Sequence, residues 1–254
     1  MPDKVHKTKG IVLRTVKYGE TSVIVTILTG LFGIQSYLVN GVRVSSKKGS
    51  GKANLFQPTA ILDLVVYHNE LKQLQRIKEF RWAVLYEQIL SDVQKNAVAL
   101  FMVELLTKCL KQPEPNADLF NFCEDAFIHL DKSTTAVMAN FPLFFALHLP
   151  YFFGFRIEPA AGTSDGEEGR EIYLDLVEGE YVTDRPAHPH FLEGRHALYT
   201  LQLLKVRQPS ELADLKMNQD IRRELLFAYE KYYALHVQEF GSLKTIPVLK
   251  EILS

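Results

Sequence analysis

Apolar and polar side chains alternate over residues 8–17, 20–28 and 33–40, stretches rich in Val, Ile, Thr, Leu and Tyr. Tyr18-Gly19 and the segment from Gly30 to Gly33 separate them, so the pattern predicts a three-stranded meander with tight turns. Residues 59–67, TAILDLVVY, predict a fourth strand, followed by a turn at His68-Asn69-Glu70. The next segment supports two readings. Leu71, Leu74, Ile77 and Phe80 recur at helical spacing, whereas the short turn favours a hairpin partner. We read residues 72–78 as a fifth strand, with helix beginning near Arg81.

From Arg81 to about Phe153 the periodicity is helical. Residues 97–110, AVALFMVELLTKCL, are apolar on nearly every face, which predicts the central helix of a bundle. Pro113-Glu114-Pro115 ends it, and Asn116 is placed to cap a further helix running through Leu130. Residues 160–171 form a polar, acidic loop, and residues 172–183 alternate around Glu178-Gly179, a hairpin signal. Asn218 predicts another helix start, with Ile221, Leu225, Tyr229, Tyr232 and Leu235 on one face. The fold class is therefore α+β. Five short strands in residues 1–80 close most economically into a small barrel, and an OB-fold fits the count. An all-helical domain with a small β-hairpin insertion around 157–190 occupies residues 81–254.

Charge divides the chain in the same place. The first 60 residues hold nine basic side chains and two acidic ones, a local charge of +7, whereas the net charge of all 254 residues is -1. Residues 61–254 thus carry -8. A basic β module beside an acidic remainder predicts polyanion binding by the barrel. Arg14, Lys17, Arg43, Lys47, Lys48 and Lys52 supply the charge, and Tyr18, Phe32 and Tyr37 are candidate stacking platforms for single-stranded nucleic acid. A lone lysine is as readily a solvated surface residue, and the aromatics as readily fill the barrel. The near absence of carboxylates from the same 60 positions favours the functional reading of the cluster.

Other chemistry is poorly supported. Gly49-Ser50-Gly51-Lys52-Ala53 glances at a phosphate loop, yet Ser46 stands where the first glycine belongs and Ala53 where a magnesium-binding hydroxyl belongs. His188, His190 and His196 are close in sequence, but no cysteine lies near them and a surface turn explains them better. No catalytic triad, paired-carboxylate motif or HExxH helix stands out, so neither an enzyme nor a cofactor is expected. The longest apolar run, residues 141–155, is short for a bilayer and interrupted by Pro142, His148, Pro150 and Gly154. The opening ten residues are charged rather than apolar, and no membrane association is expected. Cys109 and Cys123 form no CxxC motif, which predicts unpaired thiols in the cytoplasm.

The opening segment resembles the RecO family of bacterial recombination mediators. The resemblance is carried by GIVLRT at 10–15, YGE at 18–20, the turn ILTGLFGI at 27–34, the lysine-glycine loop and LFQPTAILDLVVY at 55–67, and more loosely by LPYFFGF at 149–155 and LKTIPVL at 243–249. It implies an OB-fold joined to a helical domain, binding of single- and double-stranded DNA, and annealing of complementary strands. It also implies capture of the acidic tail of single-stranded-DNA-binding protein (SSB), and partnership with RecR in loading RecA onto SSB-coated DNA. The matching DNA-contact positions are Arg14, Lys17, Tyr18 and Arg43, with Lys47, Lys48 and Lys52 as a looser match. Many members carry a four-cysteine zinc site after the aromatic run. Residues 149–189 here have no cysteine, so no zinc is expected and the 172–183 hairpin rests on packing alone. For the SSB tail, which is acidic with an aromatic end, the receptor needs an apolar wall with cations, and Lys108 with Lys111 is the candidate pair. The competing reading is a structural adaptor that makes only protein contacts through the barrel and the acidic helical domain.

Overall fold

The computed structural model describes residues 4–42, 53–158 and 172–253. Five strands, β1 (Lys4–Tyr18), β2 (Ser22–Thr29), β3 (Gly33–Val39), β4 (Ile61–His68) and β5 (Leu74–Trp82), close into a barrel of order β1-β2-β3-β5-β4. All pairings are antiparallel except β3 with β5, the parallel seam that completes the closure. This is the OB-fold. The inward alternation of β1, β2 and β4 puts Val12, Val25, Ile27, Leu62, Leu64 and Val66 in a dry interior, with Tyr37 at 0% exposure among them. Tyr37 therefore fills the barrel and is not available for stacking.

The fifth strand of the hairpin reading is present but begins at Leu74 rather than at residue 72, and the helix does not begin near Arg81. β5 continues to Trp82, because Leu62 pairs with Trp82 and the Ala83 N–H donates to the Ile61 carbonyl. Residues 83–92 are then irregular, and α1 (Val93–Cys109) starts only after Asp92, whose carboxylate accepts from the Gln94 and Lys95 N–H groups. The helical spacing of Leu71, Leu74, Ile77 and Phe80 is overridden by tertiary pairing, since β5 is hydrogen-bonded to β4 on one side and to β3 on the other.

Contact density divides the chain into two compact units, residues 1–90 with 110–131, and residues 91–109 with 132–254. The first contains the barrel and most of α2 (Ala117–Lys132), whose N-terminus is capped by Asn116 at 2.9 Å, as its sequence predicts. In this unit the Asp131 carboxylate accepts from the N–H groups of Glu87, Gln88 and Ile89, and Lys9 pairs with Glu124 at 2.7 Å.

The second unit is built around α1 and α3 (Thr135–His148), both apolar on all sides and buried through most of their length. The 19 residues Thr135–Phe153 are long and apolar enough to cross a membrane, but 67% of the apolar window is buried in the protein and Pro142 lies within α3, so this is a core helix. Around it pack α4 (Gly194–Lys205), α5 (Gln219–His236) and α6 (Thr245–Ile252). Asn218 caps α5 through the Ile221 N–H at 2.8 Å. The expected hairpin is present as β6 (Tyr173–Asp175) and β7 (Glu180–Val182), and a third strand, β8 (Phe191–Glu193), joins β6 on its other side. Three residues with a proline-rich approach carry too little alternation to show in sequence. Asp175 knits this sheet: one carboxylate oxygen accepts from the Val177 and Glu178 N–H groups, and the other meets His188 Nε2 at 3.0 Å. His188 Nδ1 in turn accepts from the His190 N–H.

Candidate nucleic-acid interface

β1 holds the described part of the basic cluster. A register shift between Val12 and Arg14 inserts Leu13 and resets the alternation, so that Arg14, Val16 and Tyr18 point outward opposite Thr26, Ile24 and Ser22 of β2. Arg14 is exposed, Val16 is 44% exposed and Tyr18 53%. Arg14 and Tyr18 thus share one face at a spacing of four residues, about 13 Å along the strand. Lys17 is also exposed but lies on the opposite face of the strand, with Thr15, whose hydroxyl donates to the Phe56 carbonyl. The structure therefore brings Arg14 and Tyr18 together and separates Lys17 from them. Arg43, Lys47, Lys48 and Lys52 lie outside the described residues.

Two further members of the sequence cluster are accounted for. Lys9 is paired with Glu124, which removes its charge from the surface field. Phe32 does not stand free: it stacks on the His68 ring at 3.9 Å and meets the edge of His6 at 5.2 Å. These three rings sit at one mouth of the barrel, against the apolar interior. Burial first, then the neighbouring His6, lowers the His68 pKa, and Glu70 partly opposes this, so the ring is neutral at pH 7.

In the helical unit, Lys108 is half-buried in the last turn of α1. Its Nζ donates to the Phe240 carbonyl at 2.5 Å and lies 5.2 Å from the centre of the Phe240 ring. Lys111 is exposed and follows the end of the helix at Cys109. A different cationic and apolar combination, not apparent in sequence, forms between α3, α5 and α6. Leu143, Leu226, Ile246 and Leu249 floor a narrow cleft whose rim is Arg222, Arg223 and Lys250. Arg222 donates to the Met217 carbonyl at 2.6 Å, and burial holds its pKa below the ordinary arginine value. Arg223 Nε is buried without a hydrogen-bond partner, while the Nη1 of the same guanidinium forms a long ion pair with Asp220 at 3.9 Å. A buried guanidinium donor left open beside apolar side chains is suited to a carboxylate attached to an apolar group. The enclosed volume is about 30 Å³, narrow for an aromatic side chain. The signal missing from the sequence is spatial, since α5 and α6 supply these cations from positions 27 residues apart.

Among the described residues, no group of three or more His, Cys, Asp or Glu side chains is placed to hold a metal ion. Cys109 and Cys123 are both buried.

Comparison with known proteins agrees with this architecture. Residues 1–86 match the family described as recombination protein O N terminal, and residues 90–244 match recombination protein O C terminal. The DNA repair protein RecO of Bacteroides fragilis is 33% identical over 97% of this chain and 98% of its own. The proteins of the same name from Phocaeicola vulgatus and Christiangramia forsetii are each 32% identical, over 98% and 96% of this chain respectively and 99% and 98% of their own. The barrel, the helical unit that follows it and matches spanning nearly the whole length place this chain in the RecO family of DNA repair proteins.

Proposed function

We propose that the protein is a non-enzymatic mediator of DNA repair and recombination that binds single- and double-stranded DNA through the barrel and anneals complementary strands. With RecR it helps RecA load onto SSB-coated DNA, and it works in the cytoplasm without a cofactor. The observation that carries this reading is the outward face of β1, where Arg14 and Tyr18 project together from a segment nearly free of carboxylates. Arg14, Lys17 and Arg43, with the loop residues Lys47, Lys48 and Lys52, neutralise phosphates, and Tyr18 stacks on a base. Contacts of this kind read no sequence, because no described element of the barrel is shaped to enter a major groove.

The acidic tail of SSB is held by the helical unit. The cleft rimmed by Arg222, Arg223 and Lys250 supports this better than the Lys108–Lys111 pair, because Lys108 already serves the Phe240 carbonyl whereas Arg223 Nε has no partner. Both remain candidates that one titration separates. By fluorescence polarisation with the tail peptide, Arg223→Glu is expected to weaken binding by about 2 kcal/mol, the worth of a charge-assisted contact. Loss of affinity in Lys108→Glu with Lys111→Glu instead would place the tail there.

The DNA reading is tested by affinity as a function of salt. Replacing Lys47, Lys48 and Lys52 with Ala should weaken duplex binding for all sequences alike and lower the salt slope by up to about three, near one per lost phosphate contact. A slope close to zero in the unmodified protein would favour the adaptor reading.

A further inference from the structure

The solvent side of the seam between α1 and α6 is apolar in its middle and oppositely charged toward the two ends of α6. Two ties fix the alignment of these helices. Glu104 accepts from the Lys244 and Thr245 N–H groups at 2.9 Å, and the Gln94 side chain donates to the Ile252 carbonyl, also at 2.9 Å. The helices therefore run antiparallel. Between the two ties, Leu100 lies level with Val248 and Asn96 with Ile252.

Each helix buries one side and leaves a stripe outside. On α6, Ile246 and Leu249 point inward, whereas Lys244 at its cap, Val248 and Glu251 are exposed at spacings of four and three. On α1, Val93, Asn96 and Leu100 form the matching stripe. Val93 is 70% exposed, Val248 45% and Leu100 38%. Three large apolar side chains on one side of two packed helices make a patch, not scattered exposure. The cleft rimmed by Arg222, Arg223 and Lys250 draws on Ile246, Leu249 and Lys250, on the other side of α6.

Charge decides what fits this patch. Along α6 the order is a cation, an apolar side chain and a carboxylate. A two-fold rotation about an axis through Val248 makes that order its own complement. It brings Lys244 of one copy to the partner's Glu251 and the partner's Lys244 to Glu251, with the two valines meeting at the centre. This is the self-complementarity that an isologous contact requires. Glu104 stands near Lys244, but both its oxygens are held by the start of α6. Asp92, which caps α1 at the Glu251 end, adds negative charge where the partner's lysine arrives.

We propose that this seam joins two copies of the chain, α1 and α6 of one packing on α6 and α1 of the other. With eight residues, α6 is only about 12 Å long, so the contact is small. Interfaces below about 1,200 Å² in total belong to transient complexes, and the dimer forms only at micromolar concentration or above. The pairing goes beyond the DNA reading and does not depend on it. Where the barrel binds DNA, one such particle holds two strands, which is what annealing brings together.

The test is sedimentation equilibrium of the full chain without DNA, from about 1 μM to about 1 mM. The mean mass is expected to rise from one chain to two. Lys244→Glu and Glu251→Lys each set like charges against each other at both ends of the contact, and each should weaken association at least about tenfold. Both suit the dipole of α6, with a carboxylate at its start and a cation in its last turn, so the helix is retained. Mixed in equal amounts, the two variants are expected to associate again, since each end then pairs a carboxylate with a lysine. Val248→Asp should leave a monomer throughout. A monomer at every concentration in the unmodified protein overturns the proposal. So does a dimer that Val248→Asp leaves intact, or a mixture of the charge variants that associates no better than either alone. DNA binding is read separately, by its salt slope, and stands or falls without these results.

Discussion

Single residues in this protein are tied to backbone geometry that few alternatives satisfy. Gly33 has φ +61° where β3 leaves its turn, and a Cβ there would lie 2.2 Å from the Glu114 carbonyl oxygen, a backbone atom of the same unit that has no freedom to yield. Gly19 has nearly the same φ, +59°, with open space around it. Gly33→Ala is therefore expected to cost at least about 2 kcal/mol in urea unfolding, and Gly19→Ala only the left-handed penalty of about 1 kcal/mol. Equal losses would mean that the Glu114 contact is not a constraint. His148 supplies a titration at this scale. Its Nε2 lies 3.3 Å from the Leu203 carbonyl and its ring packs on Phe144, and burial lowers its pKa while the hydrogen bond partly opposes this. The unfolded chain thus binds this proton more readily than the folded protein, so stability is full above about pH 6.5 and falls as pH drops from there to the folded value. His148→Gln should flatten that part of the stability profile, where a single proton gives a slope of at most about 1.4 kcal/mol per pH unit.

At the scale of elements, helices are held by carboxylates reaching from other segments. Both oxygens of Glu104 on α1 are used at the start of α6: one accepts from the Lys244 N–H, the other from the Thr245 N–H and hydroxyl, at 2.6–2.9 Å. Ile246 and Leu249 then bury the inner face of this short helix. Eight residues do not make a stable helix alone, so α6 depends on that anchor. Glu104→Ala should raise hydrogen exchange across 245–252 and destabilise the protein by about 2 kcal/mol. Because α6 contributes Ile246, Leu249 and Lys250 to the cleft, the same change should weaken acidic-peptide binding while leaving DNA binding by the barrel intact. The caps at Asn116 and Asn218 were legible in sequence because each acts within its own first turn. The anchor at Glu104, 140 residues from Lys244, was not.

At the scale of the whole molecule, the chain leaves the barrel's compact unit at residue 90 and returns to it for residues 110–131. That return brings Glu124 to Lys9 and the Asp131 carboxylate to three backbone N–H groups at 87–89. A fragment ending at residue 90 lacks all of these partners. It is expected to unfold at a lower urea concentration than the barrel does within the full chain, by about 3 kcal/mol if the three donors lose a charged acceptor. An unchanged midpoint for the barrel signals would show that 110–131 contributes nothing to it. The sequence by itself determined what local patterning can carry: the meander, a fifth strand after the turn at 68–70, the helix caps and the charge division. Tertiary structure alone decided which β1 residues share a face, since a single inserted residue at Leu13 reverses the alternation. It alone turned Tyr37 inward, added β8 to the small sheet, delayed α1 to Val93, and gathered Arg222, Arg223 and Lys250 around one cleft. The physical reason is common to all five. Each depends on a hydrogen bond, a register or a packing contact with residues distant in the chain, and period, propensity and spacing report only on near neighbours.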